Sequence, residues 1–150
     1  MKQDPLEIPI QTQPGVFHAP RWGYPILSNF VQWLIKEAEK NPNNKARLCL
    51  HPNPNEITQV TFIALVAPYQ DRSHTHPYKP EIMIPILGKA ILTIQETSDS
   101  TPYLVTLDSE NSLPISIQAN TVHSLKIVTS HFVFLEIGNG PFTSNSTCYV

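Results

Sequence analysis

The stretch His74-Thr75-His76-Pro77-Tyr78-Lys79-Pro80-Glu81, followed seven residues later by Gly88, gathers metal-ligating side chains at a spacing that chemistry can use. Extended backbone repeats every two residues, so His74 and His76 point to the same side of a strand and one ion can take both imidazoles. The two prolines between His76 and Glu81 interrupt that strand and let the chain return, which brings the Glu81 carboxylate beside the rings. A fourth donor must come from elsewhere in the fold, and His123, at the start of a later strand, is the natural candidate. Three neutral imidazoles and one carboxylate suit a single divalent transition metal (Mn, Fe, Co, Ni or Zn) and leave coordination positions for water or substrate. Structural zinc sites are usually closed and often thiolate-rich, and this set contains no cysteine.

The elements that must position these residues are mostly strands. From Arg47 onward, short runs rich in Val, Ile, Leu, Thr, Phe and Tyr alternate with turn residues, which predicts strands near 47–51, 59–67, 81–87, 89–95, 102–107, 113–118, 122–128 and 131–137. Gly88 reads as a hairpin corner, and the segment after Gly138-Asn139-Gly140-Pro141 as an irregular tail. Ahead of the strands, Ile26, Leu27, Phe30, Val31, Leu34, Ile35 and Ala38 recur at three- and four-residue spacing, predicting one amphipathic helix over 26–40 that stops at Asn41-Pro42. Pro5, Pro9, Pro14, Pro20 and Pro25 make residues 1–25 an extended or looped arm. The expected organisation is one structural domain: residues 1–46 as arm and helix packed on a barrel, residues 47–150 as the barrel itself.

Composition narrows the function classes. With 150 residues, the chain has the size of one ordinary domain. A formal charge of -2 and ten scattered Lys and Arg offer no basic stripe for phosphates, so nucleic acid is not an expected partner. No window approaches the apolar length of a membrane-spanning helix, and the N-terminus has no continuous apolar core of the kind that exports a chain, so a soluble, cytoplasmic protein is expected. Cys49 and Cys148 make neither a disulfide framework nor a thiol-rich metal site, and both read as reduced thiols.

The His-x-His, the following Glu and then Gly88 resemble the first motif of the cupins. Their second motif, Pro-x-Gly, two residues, then His, is matched here by Gln118-Ala119-Asn120-Thr121-Val122-His123, which keeps the histidine and replaces both turn residues. Asn120 stands where the glycine would, and Asn tolerates the left-handed conformation better than other side chains do. Within the cupins the chain is most similar to the WbuC-type metalloproteins. Arg47-Leu48-Cys49-Leu50-His51 resembles their Arg-x-Asn-Leu-His, Gln59 their following Gln, and Gly138-Asn139-Gly140-Pro141 their closing Gly-Pro. Ser73-His74-Thr75-His76 departs from their Pro-His-Arg-His, so the arginine near the metal is missing. The resemblance implies an all-β double-stranded β-helix, a jelly-roll barrel, with a bound metal, and a homodimer as the expected assembly.

Around that site several residues have two readings. His51 is the candidate acid or base, or else a solvated histidine opening a polar turn at Pro52. Gln59 is a candidate hydrogen-bond donor to Glu81 or to a ligand, or a cross-strand surface residue. Tyr69 and Tyr78 flank the motif and are candidate stacking partners for a sugar, with packing as the alternative. His18 and His131 read as structural or exposed. The expected function is a metal-binding cupin acting on a sugar, sugar nucleotide or other small oxygen-rich metabolite by proton transfer or isomerisation. The alternatives are a non-catalytic metal-dependent sugar- or acid-binding module and a ferrous dioxygenase.

Overall fold

The β-prone runs become two facing sheets. The computed structural model describes residues 8–26, 29–97 and 99–150. In chain order the elements are β1 (Ile10–Gln13), β2 (Val16–His18), α1 (Phe30–Lys40), β3 (Lys45–Cys49), β4 (Thr58–Val66), β5 (His74–Thr75), β6 (Glu81–Leu87), β7 (Lys89–Gln95), β8 (Tyr103–Asp108), β9 (Ile115–Ile117), β10 (Val122–Ile127), β11 (His131–Asn139) and β12 (Cys148–Tyr149). A seven-stranded sheet runs β1-β2-β3-β4-β11-β6-β9, and a five-stranded sheet runs β12-β5-β10-β7-β8. From β4 to β11 the chain changes sheet at almost every connection, only β7 and β8 being joined within one sheet. That alternation is what closes a jelly roll and covers its hydrophobic faces.

Period-two burial separates two cores on opposite faces of the larger sheet. Between the sheets, Ile63 and Leu65 of β4 and Phe132 and Phe134 of β11 meet Leu92, Leu107 and Leu125 of the smaller sheet. On the outer face, Ala46, Leu48, Ala64 and Val133 receive Leu34, Ile35 and Ala38 of α1, with Phe17 of β2 alongside. Small residues at 46 and 64 let the helix approach, and the rings of Phe30 and Phe62 close the contact at 4.5 Å between centroids.

The helix begins later than its apolar spacing predicts. Ile26 is not helical, Leu27 lies outside the described residues, and the hydrogen-bond ladder opens with the Trp33 N–H donating to the Asn29 carbonyl. The stop falls where expected, because Asn41 before Pro42 is driven into the extended region. Short strands appear near both ends of the described chain. Within the arm expected to be extended or looped, residues 10–18 form a hairpin whose second strand pairs in parallel with β3. The tail is not irregular throughout, since Cys148 and Tyr149 pair with Thr75 and His74. Strands of two to four residues are too short to show a period, so none of these announces itself in sequence.

Gly88 turns the chain from β6 to β7 with φ +81°, and a Cβ there would lie 2.1 Å from the His131 carbonyl oxygen. Only glycine combines that conformation with that approach. No helix among the described residues is long and apolar enough to cross a membrane.

Candidate metal centre

The site forms where the two sheets meet at one end. His74 lies on β5 and His123 is the second residue of β10, and the two are direct antiparallel partners in the smaller sheet. Glu81 opens β6 in the larger sheet, beside Gly138 of β11. His76 lies one residue beyond β5, where its carbonyl accepts from the Asn120 N–H at 2.8 Å. Asn120 itself is left-handed, φ 65°, so the residue standing for the motif's glycine takes the glycine-like conformation. The sequence therefore brings together all four residues that its spacing singles out, from three strands and a turn.

Three imidazoles converge. Each offers a nitrogen within 4.8 Å of the others, and the ring centroids of His74 and His123 are 4.4 Å apart. In each ring Nδ1 is committed to a backbone carbonyl: His74 to Arg72 at 2.7 Å, His76 to Ser146 at 2.7 Å and His123 to Thr121 at 2.9 Å. A carbonyl can only accept, so Nδ1 carries the proton and Nε2 keeps its lone pair. This is the orienting pattern that metal-bound histidines share. Burial pushes the His74 imidazole below its ordinary pKa, with the neighbouring His123 adding to the effect, which keeps that lone pair available.

Glu81 supplies the negative charge. It is only 2% exposed, with Oε1 3.2 Å from His76 Nε2 and Oε2 3.5 Å from His123 Nε2. Lys79 Nζ lies 3.1 Å from Oε1 and 3.0 Å from Glu136 Oε1. Burial alone would raise the Glu81 carboxyl, but His123, Lys79 and His76 outweigh it and hold the group below the usual carboxylate range. The same carboxylate pulls His123 upward against its own burial. The full counter-charge beside it, Lys79, is shared with Glu136, and the Nε2 lone pairs of His76 and His123 face the carboxylate with no proton to offer it. A buried carboxylate that shares its counter-charge and faces lone pairs is only partly compensated. A divalent ion held by Glu81, His74, His76 and His123 would supply the missing positive charge, and the donor set fits it.

Lys79 and Glu136 were not legible as site residues. Lys79 sits between the two prolines, and its stem passes so close over Gly138 that a Cβ there would lie 2.3 Å from Lys79 Cε. The pairing with Glu136 spans 57 residues, so no local pattern marks it. Burial lowers Lys79, but Glu136 and Glu81 raise it further, and the ammonium stays charged.

The remaining candidates fall elsewhere. His51 is buried in a separate group with His18 and Cys49, its Nδ1 against the Val60 backbone. Gln59 is buried and donates to the Pro54 carbonyl at 2.9 Å rather than to Glu81. Tyr69 packs on the inter-sheet core, accepts from Lys45 Nζ at 3.0 Å and donates to Asp71. Tyr78 is 88% exposed. His18 is buried, and His131 is half-buried against Glu39. A cleft of about 670 Å³ opens beside the site between Pro80, Ile94, Glu96, Tyr103, Gln118 and Thr121, and the four candidate ligands are not among its walls.

Strands that alternate between two sheets, with three imidazoles and a glutamate at one end, give the chain the cupin fold, and its structural neighbours are cupins. The sequence matches no protein-family model and no curated protein. Among solved structures it is similar to the capsular polysaccharide assembling protein CapF from Staphylococcus aureus, with TM-score 0.61 and 16% identity over 69% of this chain and 29% of that one. An oxalate oxidase aligns with TM-score 0.59 and 17% identity over 73% of this chain and 57% of that one. Oxalate decarboxylase from Bacillus subtilis gives TM-score 0.58 and 18% identity over 71% and 27%. The chain thus spans about a third or less of CapF and the decarboxylase, and likeness at this identity is likeness of fold.

Proposed function

We propose that the chain is a metal-binding cupin that acts on a sugar, a sugar nucleotide or another small oxygen-rich metabolite. The observation that carries this reading is the trio of imidazoles whose Nδ1 atoms are all held by backbone carbonyls, facing a buried Glu81 whose counter-charge, Lys79, is shared with Glu136. Such a set pre-orients donors for an ion before the ion arrives. When bound, the ion would supply Lewis-acid polarisation of a carbonyl or hydroxyl oxygen.

The chain's own residues would do the rest. Glu81 balances charge and the histidines fix geometry. Lys79 stays cationic beside Glu81, so it is an anchor for an anionic oxygen or a proton donor rather than a base. Glu136, 3.0 Å from that ammonium, is the adjacent group able to accept a proton. The sugar reading draws support from the likeness to a capsular polysaccharide assembling protein and from the WbuC-type segments around His51, Gln59 and Gly138-Asn139-Gly140-Pro141. A second reading, a small dicarboxylate handled by a redox-active ion such as iron or manganese, draws on the oxalate oxidase and decarboxylase folds.

The first test is metal content. Protein purified without a metal-affinity tag should carry, or take up, about one divalent ion at this site, and His74→Ala and His123→Ala should each lose it, as read by elemental analysis. Wild type that refuses Mn, Fe, Ni and Zn at this site ends the metalloprotein reading. Metal-loaded protein is then incubated in D2O with a panel of sugar nucleotides and followed by NMR. Solvent deuterium entering a carbon position supports proton-transfer chemistry. Binding without exchange favours a non-catalytic module, and oxalate consumption favours the second reading.

A further inference from the structure

Away from the histidine and glutamate site, three ligating side chains are buried against one another. His18 ends β2, Cys49 ends β3 and His51 lies in the turn that follows, and they are 6%, 6% and 3% exposed. His18 and Cys49 are direct partners in the parallel pairing of β2 with β3. Ala46 and Leu48 face α1, so alternation sends Cys49 to the opposite face, with Thr61 of β4 as its cross-strand partner. One ligand atom from each of the three lies within 4.8 Å of the other two.

The hydrogen bonds around the trio leave donors for coordination. His18 Nδ1 is 3.0 Å from the His51 carbonyl oxygen, so that nitrogen carries the proton and Nε2 keeps its lone pair. His51 Nδ1 is 3.2 Å from the Val60 carbonyl and 3.1 Å from the Val60 N–H. In the tautomer that donates to the carbonyl, His51 Nε2 is also free to coordinate. The Thr61 hydroxyl donates to Cys49 Sγ at 3.8 Å, but burial outweighs that contact and pushes the thiol up, so an ion must displace the thiol proton when it binds.

We infer that His18, Cys49 and His51 form a second metal site, holding a zinc-like divalent ion on two imidazoles and one thiolate and clipping β2, which lies next to the edge strand β1, to β3. A thiolate in the set selects a borderline ion over the hard ions that carboxylate and carbonyl sites prefer. The bond to sulfur replaces the Cys49 thiol proton, which leaves to solvent, so loading this site releases about one proton per chain.

Cobalt(II) is the probe, because only this site can give a thiolate-to-cobalt charge-transfer band. The exposed Cys148 is first replaced by Ser, and the reduced, chelator-stripped chain is titrated with cobalt. The expected result is two equivalents per chain, with the near-ultraviolet band accompanying one of them. The band persists in His74→Ala and disappears in Cys49→Ser and in His18→Gln. Saturation at one equivalent with no band overturns the second site, as does a band that survives Cys49→Ser. One equivalent with the band supports this site and counts against the other. Since the band is read first on a chain with all three ligands intact, poor folding of a ligand variant does not decide the result.

Discussion

At the scale of single residues, the candidate metal centre is organised by charge. Glu81 and Glu136 share one ammonium, Lys79, and the pair Glu81–Lys79 is nearly excluded from water. Removing one member of such a group leaves the others uncompensated, which costs about 3–5 kcal/mol in well-buried cases. Lys79→Met keeps the length of the stem and removes the charge. Metal-free protein with this change should lose roughly 3 kcal/mol in urea unfolding, and a divalent ion, by taking up the Glu81 charge, should return part of that loss. An equal loss with and without metal would mean that Lys79 serves Glu136 alone. His74, His76, Glu81 and His123 were legible because strand period and turn-forming prolines dictate where a side chain points. Lys79, Glu136 and the carbonyl of Ser146 were not, because contacts across 57 and 70 residues exist only once the sheets have closed.

At the scale of elements, the strands were legible where they are long enough to alternate. The sequence predicts 81–87 and 89–95, and β6 and β7 occupy those ranges, with Gly88 as the corner between them. The short strands β1, β2, β5 and β12 depend on a neighbour for their hydrogen bonds and carry little local signal. Gly88→Ala tests the corner directly: a positive φ of +81° and a Cβ 2.1 Å from the His131 carbonyl should lower unfolding free energy by about 2 kcal/mol or more. Denaturant midpoints should move with the slope unchanged. The turn after β8 makes a different prediction. Asp108 accepts the Glu110 N–H at 3.0 Å and pairs with Lys89 at 2.9 Å, which with Asn111 holds its carboxyl down from 3.8 to about 2. A folded value below the unfolded one means that the contribution is complete above about pH 4 and fades as pH falls toward 2. Thermal midpoints between pH 5 and 2 should therefore fall less steeply in Asp108→Asn than in wild type. The difference should be small, because the pair is screened by solvent.

At the scale of the whole molecule, one sheet serves two cores. Residues of β4 and β11 alternate between them: Ile63, Leu65, Phe132 and Phe134 face the smaller sheet, while Ala64 and Val133 face α1. Stability is therefore shared across the sheet, but the candidate metal centre is not. Its ligands come from β5, β6 and β10 and the turn at His76, whereas α1 lies against β3, β4 and β11 on the outer side. Leu34 has no exposed surface and is surrounded by the outer cluster. Leu34→Ala should cost about 2–5 kcal/mol by removing buried methyl groups and leaving a cavity. Because α1 touches none of the strands that carry the ligands except through the shared sheet, the folded variant should retain its full metal content at the histidine and glutamate site. Urea unfolding of the metal-free protein and elemental analysis of the folded fraction read the two quantities separately. Loss of metal in step with loss of stability would mean that the helix and the site form one cooperative unit, with the outer core setting the position of the ligands through β4 and β11.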